Sequence, residues 1–387
     1  MKHLNKLFTE NSAHTYKMRL DKKLFKFDYH EEIFSGNTLL KIINFVNTIH
    51  YKYKNINFPI IFNFRQVEIV DKLSYVLFEC ICYYLIKNFH HKIYLYIYPK
   101  DTIDTSGIFS SCLKLLIDNT GKNMSKFILC FEKEIYKNHF RRIIRGNEKK
   151  KTNYLGNLLQ ELDTFLKFFN IVEDYRDEIT EVITELVGNA CEHGHTDCLL
   201  DIDIADNYSK YIKNNQQKGI FYGINIVVIN FSDILLGDGV KEKIENNNFK
   251  EERYINLKKA YNYHRTLFNE NYSFMDFCNV SSLQDKISGR TYYSLSGGTG
   301  LTKLIHSLQE KSDMNSCYVI SGSRCVRFIK EMLNYNKENW LGFNEQMDFF
   351  NSIPDETVIA PCYINFPGTA YNLNFIMKRE DENYENN

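Results

Sequence analysis

Apolar positions along the chain follow two periods. Leu155, Leu158, Leu159, Leu162, Phe165, Leu166 and Phe169 recur at helical spacing and predict a helix of about four turns. Just beyond, Ile179, Val182, Ile183, Leu186, Val187 and Ala190 fall at i, i+3, i+4, i+7, i+8 and i+11, which predicts a second helix from about Asp177 with one wide buried stripe. Strand patterns follow. Residues 199–205 (LLDIDIA) alternate, residues 223–230 (GINIVVIN) form an apolar run of buried-strand length, and late strands are expected around 317–321 and 371–377. In the first half, residues 59–64 (PIIFNF), 75–87 and 92–98 (KIYLYIY) predict β-α-β order. Helices and strands with few prolines predict an α+β fold, its second half a mixed sheet packed on helices.

A length of 387 residues exceeds what one core usually holds and favours two domains. Hydrophobic residues at 44% and charged residues at 25% describe a globular chain and exclude a disordered one or a membrane bundle. The longest apolar stretch, residues 74–86, is interrupted by Glu79 and falls short of the ~20 residues of a spanning helix. The first residues show no apolar leader, so a cytoplasmic protein without membrane contact is expected. Ten scattered cysteines with no CxxC pair fit buried thiols rather than a disulfide framework.

The net charge of zero hides an asymmetry: residues 1–150 hold 25 Lys/Arg against 14 Asp/Glu, and the remainder 23 against 34. Opposite halves suggest a boundary and mutual attraction. The organisation read from this is a basic α/β domain over 1–140, whose β-α-β order faintly resembles the STAS domains of anti-sigma-factor antagonists, a charged linker over 141–153 (RRIIRGNEKKKTN), a second domain over 154–378 and a disordered acidic tail over 379–387. No aromatic residue interleaves with the linker's cations, which argues against nucleic acid as its partner.

Two segments carry chemistry. Glu185 and Asn189 lie one turn apart beside the buried stripe, where a carboxylate and an amide oxygen suit a hydrated Mg²⁺ that also needs substrate phosphates. The plainer reading is the polar face of an amphipathic helix. Farther on, Ser296, Gly297, Gly298, Thr299, Gly300 and Leu301 form a glycine-rich turn leading into Leu304, Ile305 and Leu308, so helix N–H groups could meet an anion. Cys191, His193, His195 and Cys198 are close together, but their spacing is not a standard zinc pattern.

The stretch 185–194 (ELVGNACEHG) resembles the N box of the GHKL, or Bergerat-fold, ATP-binding superfamily, and its ending looks most like the anti-sigma-factor serine kinases, near the histidine kinase-like ATPases. Gly298, Thr299, Gly300 and Leu301 resemble the family's G2 box, and Gly368-Thr369 resembles its late "GT" before a final strand. The resemblance implies ATP and Mg²⁺ as cofactors, Asn189 as a metal ligand, Glu185 as the catalytic carboxylate, the glycine turn as the phosphate holder and Thr369 near the adenine. At the G1 position, where the family has an aspartate, this chain has Asn230, and an aspartate there is expected to strengthen ATP binding; Asp238-Gly239 is a displaced substitute. A lid is expected over 240–295; Arg290 and Lys303 are candidate phosphate contacts whose plainer reading is a solvated surface role, and His193 is expected to be a structural residue.

Two functions stay open. One is a serine/threonine protein kinase or slow ATPase acting on a STAS-like or sigma-factor-like protein, with a homodimer left open. The other is a nucleotide-gated switch or scaffold without catalysis.

Overall fold

The computed structural model describes residues 1–9, 23–69, 71–99, 111–117, 123–146, 153–194, 196–205, 221–247, 251–287, 300–312 and 317–378. These fold as four layers, sheet, helices, sheet, helices. In the first sheet β3 (Ile60–Ile69) is central, with β4 (Ile93–Pro99) on one side and β1 (Phe25–Asp28) then β2 (Ile33–Phe34) along the other, every pair parallel. The expected β-α-β is present, because α2 (Lys72–Phe89) connects β3 to β4. Asp71 starts α2 by accepting the Ser74 N–H at 2.7 Å. Phe27, Phe62 and Phe64 pack inward on Phe45 of α1 (Gly36–Lys52) and on Phe78 of α2.

The second sheet has six strands in the order β5-β6-β7-β8-β10-β9 and is antiparallel throughout. That corrects the mixed sheet expected from the sequence. Between β6 (His139–Ile144) and β7 (Cys198–Ala205) the chain makes two helices, α5 (Tyr154–Lys167) and α6 (Glu173–Gly194). An up-and-down helix pair returns the chain to the end it left, so the next strand must run back. With α10 (Gly300–Lys311), these helices cover one face of the sheet; α1 and α2 cover the other. The remaining strands are β8 (Phe221–Phe231), β9 (Tyr318–Arg327) and β10 (Ile359–Lys378).

Three expectations need correction. The charged linker begins inside β6: Arg141 to Ile144 are sheet residues, and Arg141 is fully buried. A hairpin of β5 (Lys133–Tyr136) and β6, turning at Lys137 with φ of 47°, adds two strands ahead of residue 154. The lid is, over its described part, packed core. After β8 the chain forms α7 (Asp238–Glu245), α8 (Glu252–His264) and α9 (Phe274–Ser282), with Val240, Leu257, Phe277 and Leu283 buried in the cluster beneath α6. The tail over 379–387, the lid's residues 288–295 and Arg290 lie outside the described residues. Two short helices, α3 (Lys114–Ile117) and α4 (Met124–Glu132), complete the described helices. Among the described residues no helix is long and apolar enough to cross a membrane.

The two halves meet through a buried ion network. Arg141 bonds both Glu79 of α2 and Asp201 of β7, all three inaccessible to solvent. Lys72 lies 2.6 Å from Asp201 and 2.8 Å from Asp203. Asn225 donates to Asp203 at 2.7 Å, Tyr75 donates to it at 3.1 Å, and the Leu73 N–H reaches the Asn372 side chain at 3.1 Å. Burial alone would raise the Asp201 carboxyl, but Arg141, Lys72 and His139 hold it well below the usual range.

Candidate functional site

The helix-covered face of the six-stranded sheet ends in a row of short side chains. Backbone register aligns Cys198 of β7 with Asn230 of β8, Asn230 with Thr369 of β10, and Thr369 with Ser321 of β9. One row inward, Leu200, Val228, Tyr371 and Val319 all sit in the core beneath α6. Strand alternation therefore turns the Cys198–Ser321 row toward the same helices. Asn230 and Thr369, chosen from separate motifs, are direct cross-strand neighbours.

Asn230 is buried and its amide is fixed. Its Nδ2 donates to Thr196 Oγ1 at 2.7 Å and to the Asp197 carbonyl at 3.1 Å, while Thr196 Oγ1 donates to the Phe231 carbonyl at 2.8 Å. With both amide hydrogens directed this way, the chemistry Asn230 offers a ligand is that of its carbonyl oxygen, an acceptor. Ser321 Oγ donates to the Gly368 carbonyl at 2.8 Å and accepts the Leu236 N–H at 2.9 Å. Neither Thr196 nor Ser321 stands out in the sequence, because Thr196 enters through its bonds to Asn230 and the Phe231 carbonyl and Ser321 through cross-strand register, not through a local motif. Gly368 is required where it stands: its φ is 101°, and a Cβ there would lie 2.1 Å from the Asn230 carbonyl oxygen.

Helix α6 carries Glu185 and Asn189 on its half-buried flank, off the stripe formed by Val182, Ile183, Leu186 and Val187. It runs directly into β7 through residues 195–197, so its last turns overlie the start of that strand and hence the Asn230 row. Helix α10 packs against α6 with the opposite sense. Lys303 pairs with Glu181, whereas Ser307 and Lys311 both bond Glu178. Continuing that antiparallel register by one turn brings Gly300 and Leu301, at the start of α10, level with Glu185.

The first turn of α10 is anchored from outside. Thr302 Oγ1 donates to Asp285 Oδ1 at 3.0 Å, and the Asp285 carbonyl accepts from Arg253 Nε at 2.9 Å. The Arg253 guanidinium in turn lies 3.6 Å over the Trp340 ring, so the α8–α9 insertion is tied to the start of α10. This lid segment therefore positions the first turn of α10.

Asn230 and Thr369 are thus cross-strand neighbours at one end of the sheet, and Glu185 and Asn189 lie one turn apart on α6, whose antiparallel partner α10 begins with Gly300 and Leu301. Gly298 and Thr299 lie outside the described residues. Two candidates have other work. The Lys303 ammonium is engaged by Glu181, and the Asp238 carboxylate accepts the Leu235 N–H at 2.7 Å, so Asp238 shapes the turn into α7 instead of replacing the G1 aspartate. For the zinc reading, Cys191 and Cys198 are buried, with burial first among the causes that raise the Cys198 thiol, while the side chains of His193 and His195 lie outside the described residues. Among the described residues no group of three or more His, Cys, Asp or Glu could hold a metal.

A hard cation would find oxygen donors in Glu185 and Asn189, and a flat polar ligand would find the Asn230 carbonyl oxygen and the Thr369 hydroxyl. Compared with known proteins, the chain matches no family model, no curated protein and no solved structure.

Proposed function

We propose that the second half binds ATP with Mg²⁺ and acts as a serine/threonine protein kinase of the anti-sigma type or as a slow ATPase. What supports the reading is the pairing of Asn230 with Thr369 across neighbouring strands, together with the antiparallel packing of α10 on α6, the helix that carries Glu185 and Asn189. In this reading Asn189 holds Mg²⁺, Glu185 orients or deprotonates the attacking group, α10 meets the phosphates, and the Asn230 oxygen accepts from the base. The phosphate acceptor would be a STAS-like or sigma-factor-like protein.

A second reading, a nucleotide-gated switch without catalysis, is favoured by Asn230 itself, since an amide replaces the carboxylate that the resemblance implies. Titration with ATP, ADP and GTP, with and without Mg²⁺, tests the shared premise. Labelled ATP then separates the readings: Glu185→Ala abolishes label transfer and hydrolysis with nucleotide binding retained if the chain is a kinase or ATPase, and a nucleotide-binding wild type that transfers and releases no phosphate is a switch. A chain that binds no nucleotide removes both.

A further inference from the structure

The first sheet has an outer face that the inner helices do not cover. Along β1, β3 and β4 burial alternates: Phe25, Phe27, Phe62, Phe64, Ile93, Leu95 and Ile97 point into the core, which turns Lys26, Asp28, Ile61, Asn63, Tyr94 and Tyr96 outward. Parallel sheets are stable chiefly when both faces are covered, because their strands rarely alternate cleanly between apolar and polar positions. Here the strands do alternate, and the outward positions on β4 are aromatic rather than simply polar.

Register places these residues in two rows, Lys26–Ile61–Tyr94 and Asp28–Asn63–Tyr96. Tyr96 is 37% exposed and Tyr94 half-buried. Arg65 stands exposed at a bulge in β3, where its φ of 52° turns the backbone out of the regular ladder. The Lys26 side chain is exposed, as is Lys92 just ahead of β4. Two acids share the face. Asp28, two strands from Tyr96, is held by Lys26 at 2.9 Å and Asn63 at 2.8 Å; Glu68 lies beyond the last β3–β4 pair.

We propose that this face binds single-stranded nucleic acid, its bases stacking on Tyr94 and Tyr96 and its phosphates meeting Arg65, Lys26 and Lys92. Charge complementarity points to a polyanion: residues 1–132, which precede the first strand of the six-stranded sheet, carry 18 Lys/Arg against 12 Asp/Glu. Spacing points to a single strand. Residues two apart on a strand are about 6.6 Å apart, roughly twice the separation of stacked bases, so successive bases reach the two rings only if the strand is opened. A sheet face presenting aromatic rings among cations is a known solution for sequence-tolerant stacking. The aromatic interleaving missing from the cations of 141–153 is present here.

The test is fluorescence anisotropy with the full chain at 50 mM salt, using a labelled 12-nucleotide oligouridylate, a 12-nucleotide oligothymidylate and a 20-base-pair DNA duplex. Binding of either single strand, tighter than the duplex, is expected, and the two single strands distinguish RNA from DNA as the source. The Tyr94→Ala/Tyr96→Ala variant should weaken binding at least 10-fold, the Tyr94→Phe/Tyr96→Phe variant should bind within about 3-fold of wild type, and Arg65→Ala should flatten the salt dependence. Circular dichroism confirms that each variant is folded. The proposal is overturned if no oligonucleotide binds, which would leave a protein-docking face, if the duplex binds as well as the single strands, or if the folded alanine variant binds like wild type.

Discussion

Replacing Arg141 by methionine removes the one cation that bridges the two halves through both Glu79 and Asp201. Asp201 keeps Lys72 and His139, but Glu79, fully buried, keeps among the described residues only the Cys112 thiol at 3.5 Å. Breaking a buried pair by removing one partner costs about 3–5 kcal/mol, because the other charge stays buried without compensation. Methionine fills much of the same volume and still packs on the Phe131 ring, which lies 5.1 Å from the guanidinium in the wild type. The loss is therefore mainly electrostatic, and removing the stranded charge should recover part of it: Arg141→Met/Glu79→Met should be about 1–3 kcal/mol more stable than Arg141→Met alone. Urea denaturation followed by Trp340 fluorescence and by circular dichroism is the assay. Trp340, the chain's one tryptophan, is buried in the core beneath α6, so coincident transitions would mean that both sides of the six-stranded sheet unfold together. With a denaturant slope of about 3 kcal/mol per M, the single variant's midpoint falls by about 1 M or more. A single variant within about 1 kcal/mol of wild type, or a double variant less stable than the single, would refute the reasoning.

His139 is almost fully buried; burial lowers its imidazole, but Asp201 and then Glu134 more than offset this and raise it above the ordinary value. Its contribution is therefore full below about pH 6.5 and is lost as pH rises through the raised folded value, so thermal melts across pH 5.5–9 should show a falling component that His139→Gln lacks. Gly368→Ala should cost at least about 2 kcal/mol in urea denaturation, since its Cβ would enter the Asn230 carbonyl at a positive φ. Asn230→Asp reverses the expectation drawn from the family resemblance: the carboxylate would give up the donor to Thr196 and face the Asp197 carbonyl oxygen, so melting should show a loss of about 1–3 kcal/mol and titration no tighter ATP binding.

Periodicity was a sound guide wherever a segment packs through one face. The stripe from Ile179 to Ala190 announced α6, the Leu155–Phe169 spacing announced α5, and the alternation of 92–98 announced β4. It missed β5 and β6 for a physical reason. Arg141 and Arg142 are consecutive cations in β6, and consecutive strand residues point to opposite faces. Arg141 meets Glu79 and Asp201 on one side of the sheet, and Arg142 meets Glu161 of α5 on the other. Each needs a carboxylate far away in sequence, so locally the pair reads as a solvated run. The same holds at the candidate site: Glu185 and Asn189 were legible because one helix turn joins them, whereas Ser321 enters through register across strands and Thr196 through its bonds to Asn230 and Phe231, 34 and 35 residues on.

Where the charge sits changes what the charge asymmetry means. Part of the first half's basic excess belongs to β5, β6 and the residue after them, and there it serves the second sheet: Lys133 and Arg142 face Glu161, Arg145 lies near Asp197, and Arg141 is sealed inside. The contribution of α2 to the interface is Lys72 with Glu79, one charge of each sign. The halves are thus joined by matched buried ions, beside more exposed pairs in which Lys6 meets Asp233 and the N-terminal ammonium meets Asp197. Bulk attraction would weaken steadily with salt, whereas ions buried from solvent are screened little. The cations that remain on the first sheet's outer face are not consumed by that contact. Lys26 is paired with Asp28 there, so Arg65 and Lys92 are what the proposed polyanion would meet first, and salt would weaken its affinity while the four-layer fold held.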